Sequence, residues 1–207
     1  MKAALINGSP KGKASISERL LQAMRERLGG EQEYVFLQVN ASDQTQAFDN
    51  LKDCNALVFA FPLYIDGIPS RLLRFLDEIK DEIAVIAPGA MVWAIVNNGF
   101  YEGHQNALAL DMMQSFCVAG GLSFGQGVGV GAGGMASAAP VGSGPMRNLG
   151  LALDQLAQNI HQSRIVPNQF VVPNFPRFLY KAGGNWSWKA EARKNGLKAK
   201  SLHAKRV

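Results

Sequence analysis

Short, nearly uninterrupted apolar runs recur along this chain, separated by segments whose apolar residues fall three and four apart. The runs cover residues 3–6, 34–37, 56–61, 91–96 and, richer in glycine, 123–131. Between and after them, Ile16, Leu20, Leu21, Met24 and Leu28 stripe one helix, and residues 44–52 read as a second. Leu72, Leu73, Leu76 and Ile79 stripe a third, Ala109, Met112, Met113, Phe116 and Cys117 a fourth, and Leu149, Leu153, Leu156 and Ile160 a fifth. Strands without polar alternation are buried on both faces, which is the habit of a parallel sheet covered by helices on either side. The alternation therefore predicts an α/β fold with a doubly wound, five-stranded parallel sheet in the order 2-1-3-4-5.

The chain has 207 residues, of which 47% are hydrophobic and 18% charged, and this excludes intrinsic disorder and a coiled coil. Its formal net charge of +5 invites a polyanion as partner, but the charge is unevenly placed. Residues 164–207 hold ten Lys or Arg against one acid, Glu191, whereas residues 1–163 hold eleven against fifteen. The body is mildly acidic and the tail basic. The expected division is residues 1–165 as the sheet domain and residues 166–207 as a basic C-terminal extension with Phe178, Tyr180, Trp186 and Trp188 interleaved.

Two cysteines, Cys54 and Cys117, do not make a disulfide framework, and no CxxC or HExxH spacing is present. His104, His161 and His203 are far apart, so no metal is expected. No signal-peptide pattern follows Met1, and a cytoplasmic protein is expected. Residues 112–146 carry no charge, but they are too rich in Gly, Ser and Gln for a membrane span, which needs about 20 mainly apolar residues.

In doubly wound sheets ligands bind beyond the carboxyl ends of the strands, where the strand order reverses. Three loops meet that description. In the first, Ser9, Lys11, Ser15 and Ser17 lie in a turn that runs into a helix N-terminus, with Ser15-x-x-Glu18 in the form of a capping box. Unpaired N–H groups and the helix dipole there favour an anion such as phosphate. The second loop, Pro62-Leu63-Tyr64-Ile65-Asp66-Gly67-Ile68-Pro69, offers an apolar and aromatic wall with backbone amides. The third, Asn97-Asn98-Gly99-Phe100-Tyr101-Glu102-Gly103, adds two rings and a glycine that permits close backbone approach. A phosphate cradle beside two such loops suits a phosphorylated flat heterocycle. FMN meets that demand better than an adenine nucleotide, for which the second loop has no matching polar side chains.

On these residues the sequence resembles the flavodoxin-like NAD(P)H-dependent FMN reductases and NAD(P)H:quinone oxidoreductases. The matching pieces are 6–11 with 15–17, 62–69, 97–100 with Glu102 and Gln105, and 127–131. The resemblance implies a cytoplasmic homodimer with FMN as cofactor and NAD(P)H as electron donor. It implies that Ser9, Lys11, Ser15 and Ser17 hold the FMN phosphate, with Ile16 among the cofactor-binding positions of the same loop. Pro62, Leu63, Tyr64 and Ile65 would bracket the isoalloxazine, and Asn97, Gly99 and Phe100 would meet its pyrimidine side. Ile16 departs from the family, whose members commonly carry a polar residue there. No side chain is assigned as a catalytic acid or base, because the flavin carries the redox chemistry. The glycine-rich 128–135 segment is expected to let a partner subunit or a substrate come close. Two other readings stand beside the enzyme: a flavodoxin-like electron carrier, and a binding module without FMN whose basic tail contacts polyanions or membrane.

Overall fold

The computed structural model describes residues 1–39 and 44–203. Lys205 and Arg206 of the basic tail lie outside the described residues. The chain forms two compact units, Met1–Pro173 and Asn174–Val207.

The first unit is built on β1 (Lys2–Asn7), β2 (Glu33–Gln38), β3 (Ala56–Pro62), β4 (Met91–Asn97), β5 (Ser123–Val130) and β6 (Gln169–Val171). They form one parallel sheet in the order β2-β1-β3-β4-β5-β6. The five expected strands are present in the expected order, and a sixth continues the sheet past β5. This moves the boundary of the sheet unit from 165 to 173. Val166 N donates to Gly125 O at 2.9 Å, Gln126 Nε2 to Pro167 O at 3.0 Å and Gly127 N to Asn168 Oδ1 at 2.8 Å, which draws the extension along β5. A three-residue strand between Pro167 and Pro173 is too short to show a period of its own.

The helices of this unit are α1 (Ile16–Leu28), α2 (Gln44–Leu51), α3 (Ser70–Ile79), the single turn α4 (Ile83–Ile86), α5 (Ala107–Ala119) and α6 (Arg147–His161). Alternate strand residues point to opposite faces. Ile6, Leu57, Phe59, Phe61, Val92 and Val96 pack with Leu72, Phe75, Ile79, Met113 and Phe116 of α3 and α5. Leu5, Val58, Trp93, Ile95, Val128 and Val130 pack on the other face with Leu20, Met24, Leu149, Leu153 and Leu156 of α1 and α6. Burying each of these large side chains contributes about 1.5–3 kcal/mol. Leu73, expected on the core stripe of α3, faces outward; Phe75 takes the buried position.

The sheet register sets up the site. Asn7 of β1 pairs with Ala60 of β3, and Pro62 of β3 pairs with Asn97 of β4. The three strands thus end nearly level, and their following loops start side by side.

Candidate functional site

The loop after β1 is organised by a side chain that sequence reasoning left without a role. Asn7 is buried; its Oδ1 accepts from Ser9 N at 2.9 Å, and its Nδ2 faces Gly12 O, Ser15 Oγ and Glu18 Oε2 at 3.2, 3.2 and 2.9 Å. From β2, Gln38 Nε2 donates to Asn7 O and Ser9 O, both at 3.1 Å. Its Oε1 is buried without a hydrogen-bond partner beside Gly12. The only outward signal for these two residues is their place at the ends of neighbouring apolar strands.

Ser9, Ser15 and Ser17 are all buried, and each hydroxyl oxygen is already an acceptor. Ser9 Oγ takes Lys11 N at 3.3 Å, Ser15 Oγ takes Glu18 N at 3.1 Å, and Ser17 Oγ takes Asn97 Nδ2 at 3.1 Å. A hydroxyl that accepts still has its own proton to give. The cluster therefore holds three O–H donors next to the first-turn N–H groups of α1, which have no partner within the helix. Lys11 and Lys13 are exposed at the same loop, and Ile16 is half-buried at the first helical position.

The capping box forms in one direction only. Ser15 caps Glu18 N, but the Glu18 carboxylate accepts from Asn7 Nδ2 and from Gln22 Nε2 at 3.0 Å instead of from Ser15 N. Ser15 N already donates to Gly12 O at 3.0 Å through the 3-10 turn Gly12–Ala14, so the reciprocal bond has no donor. A carboxylate consequently stands within the anion cradle.

After β3, Tyr64 and Gly67 exchange two backbone hydrogen bonds of 3.0 Å around Ile65 and Asp66. Both central residues are left-handed, with φ of +48° and +56°, as a type I′ turn requires. Ile65 is fully exposed there, an unusual place for a β-branched residue. Leu63 N donates to Asn97 O at 2.8 Å. With Leu63, Tyr64 and Gly67 amides used internally, amide recognition by this loop falls to Ile65, Asp66 and Ile68, a narrower set than the sequence suggested.

After β4, Asn98 Oδ1 accepts from Phe100 N at 2.9 Å and Asn98 Nδ2 donates to Glu102 O at 3.2 Å, a local turn that holds Gly99 and Phe100 outward. A Cβ at Gly99 would meet nothing within 4 Å. His104 stands edge-on to Phe170, with ring centroids 4.8 Å apart.

Asn97 joins the three loops. It reaches Ser17 on α1, Phe61 O on β3 at 3.1 Å, and through its own carbonyl Leu63 N. Ser9, Ser15, Ser17, Pro62, Leu63 and Asn97 are thus brought together at adjoining strand ends. Lys11, Tyr64, Ile65, Gly99 and Phe100 are exposed on the loops that leave those ends.

The glycine-rich end of β5 has a use within the chain. A Cβ at Gly127 would strike Leu110, at Gly129 it would strike Phe170 and the Gly103 carbonyl, and at Gly131 the Tyr101 carbonyl. The close approach there is made by α5, β6 and the loop after β4, all from the same chain.

Burial pushes the Cys117 thiol up to about 12 and raises that of Cys54, so both are poor nucleophiles at neutral pH. Among the described residues no three His, Cys, Asp or Glu side chains gather as a metal site, and no helix is long and apolar enough to cross a membrane.

Residues 1–82 match the family model described as the flavodoxin-like fold. Among solved structures the chain is similar to the apo form of an NADH:FMN oxidoreductase, at 17% identity and TM-score 0.61 over 79% of this chain and 89% of that one. It is similar to an NADPH-quinone reductase from P. pentosaceus at 15% identity and TM-score 0.56, over 76% and 98% of the two chains. A flavodoxin from Streptococcus pneumoniae matches at 15% identity and TM-score 0.56, over 79% and 99%. No curated protein matches by sequence. At these identities the structural likeness establishes the fold: it is flavodoxin-like.

Proposed function

We propose that this chain of flavodoxin-like fold is an FMN-dependent oxidoreductase that uses NAD(P)H as electron donor and a quinone-like or other small molecule as acceptor. The observation that carries the reading is the triple serine cluster: three hydroxyl donors and a helix N-terminus at the point where the strand order reverses. That donor set fits a phosphate. Two of the similar proteins, an NADH:FMN oxidoreductase and an NADPH-quinone reductase, support the same reading.

In this reading Ser9, Ser15 and Ser17 donate their hydroxyl protons to the FMN phosphate, and Lys11 adds a positive charge at the mouth. Ile16 contributes its backbone N–H, while its side chain offers no polar atom. Pro62 and Leu63 form the inner wall of the ring site, with Tyr64 and Ile65 exposed beyond them. Asn97 keeps Ser17 and Leu63 in place, and Gly99 leaves room beside Phe100 for a flat ring. The chemistry that bound FMN supplies is the passage of a hydride equivalent from NAD(P)H to the acceptor. The residues bind, orient and shield; no side chain need move a proton. A cytoplasmic homodimer is the form that accompanies this function.

The test is the visible spectrum of the purified protein during rapid mixing with NADPH. A flavin absorbance that bleaches directly supports the enzyme, whereas a flavin that NADPH leaves oxidised indicates an electron carrier. A colourless protein that takes up no added FMN overturns the reading.

A further inference from the structure

We infer that the C-terminal unit, residues 174–207, docks the protein on the surface of an anionic phospholipid bilayer. Its described residues form α7 (Arg177–Lys194) and a 3-10 turn, Ala199–His203. It carries nine Lys or Arg and one acid, and that acid, Glu191, already accepts from Asn195 and pairs with Lys194 at 3.5 Å. Of α7 only Ala192 is buried.

Six large apolar side chains of this unit face solvent. Phe178 is 70% exposed, Trp186 73% and Trp188 67%, and Leu179, Leu197 and Leu202 are exposed as well. At about 100° per residue, Phe178, Ala182, Trp186, Lys189 and Arg193 fall along one side of α7. That side carries rings at its start and cations toward its end, so an anionic surface that meets it receives both. Trp188 lies to one side of that row, and Asn185, Trp188, Lys189 and Leu202 line a cavity of about 440 Å³. An indole, an ammonium, an amide and an aliphatic side chain together match a phosphodiester headgroup with its glycerol. Gly183 and Gly184 weaken the helix propensity of α7 at its middle, so α7 gains order when a surface covers it.

Two other occupants fit less well. Single-stranded nucleic acid would stack on the rings, but three exposed leucines offer its bases nothing. A second copy of the unit would bring like charges face to face.

The experiment is co-sedimentation of the full chain with vesicles of phosphatidylglycerol and phosphatidylcholine in equal parts, against phosphatidylcholine alone. Binding to the anionic vesicles only, with a blue shift of tryptophan emission and release by salt, is expected. Each basic residue near an anionic surface contributes about five-fold, so Lys189→Gln with Arg193→Gln should weaken partition about twenty-five-fold. Trp186→Ala should remove much of the emission shift. Both variants should keep the helical circular dichroism and flavin spectrum of the parent. Equal partition of parent and double variant overturns the inference. So does binding to polyuridylate but not to vesicles, or a dimer that Trp186→Ala dissolves without changing vesicle binding.

Discussion

Asn97 Nδ2 donates to Ser17 Oγ at 3.1 Å, a buried bond between residues 80 apart that ties the end of β4 to the first turn of α1. The same amide donates to Phe61 O, so one side chain sets the spacing of the ends of β3 and β4 and the start of α1. Asn97→Ala leaves a buried carbonyl and hydroxyl short of a donor, at a cost of about 1–3 kcal/mol. Urea unfolding should show that loss, and FMN titration a weaker complex. An unchanged unfolding midpoint would contradict the role given to Asn97.

Glu18 places a carboxylate in the cradle read as the phosphate site. Glu18→Gln keeps an oxygen to accept from Asn7 and removes the charge. Relief of charge repulsion at this range should tighten FMN binding about ten-fold. Flavin fluorescence titration checks it, with riboflavin as the control: riboflavin lacks the phosphate and its affinity should not move. Equal gains for both flavins would place the phosphate elsewhere.

Ile65 holds a left-handed backbone with its side chain in solvent. Ile65→Asn loses no packing and suits the turn, so stability should rise by about 0.5–1 kcal/mol. Strain retained at such a place is a mark of use. Thermal unfolding should therefore show a gain while NADPH-driven turnover falls. A gain in both would remove the functional reading of Ile65.

Gly131 and Gly134 separate two uses of glycine. Gly131→Ala drives a methyl group onto the Tyr101 carbonyl between two backbones, costing about 3 kcal/mol. Gly134 has open space, and Gly134→Ala should stay within about 0.5 kcal/mol. Parallel denaturant curves distinguish them, and equal effects would mean that β5 is not packed as described.

Much of the fold was legible because its signals are local. Apolar runs such as 56–61 and 91–96 announce buried strands, and stripes such as Leu149, Leu153, Leu156 and Ile160 announce helix faces. The serines were legible for the same reason: Ser15 before Ile16 is a cap whatever surrounds it. Asn7, Gln38 and Asn97 act across the fold, and no spacing along the chain reports a contact 80 residues away. The Glu18 side chain turns from Ser15 N to Asn7 because Gly12 O has already taken that donor. That competition exists only once the turn has formed.

By itself, then, the sequence determined the layers, the strand order and the three loops at the point of reversal, because hydrophobic period and turn chemistry act over a few residues. Tertiary structure decided what those loops hold and what the glycines are for. It turned three serines into acceptors with protons still to give, and spent Gly127, Gly129 and Gly131 on contacts within the chain. It also extended the sheet to β6, since a short strand is specified by the edge it joins more than by its own residues.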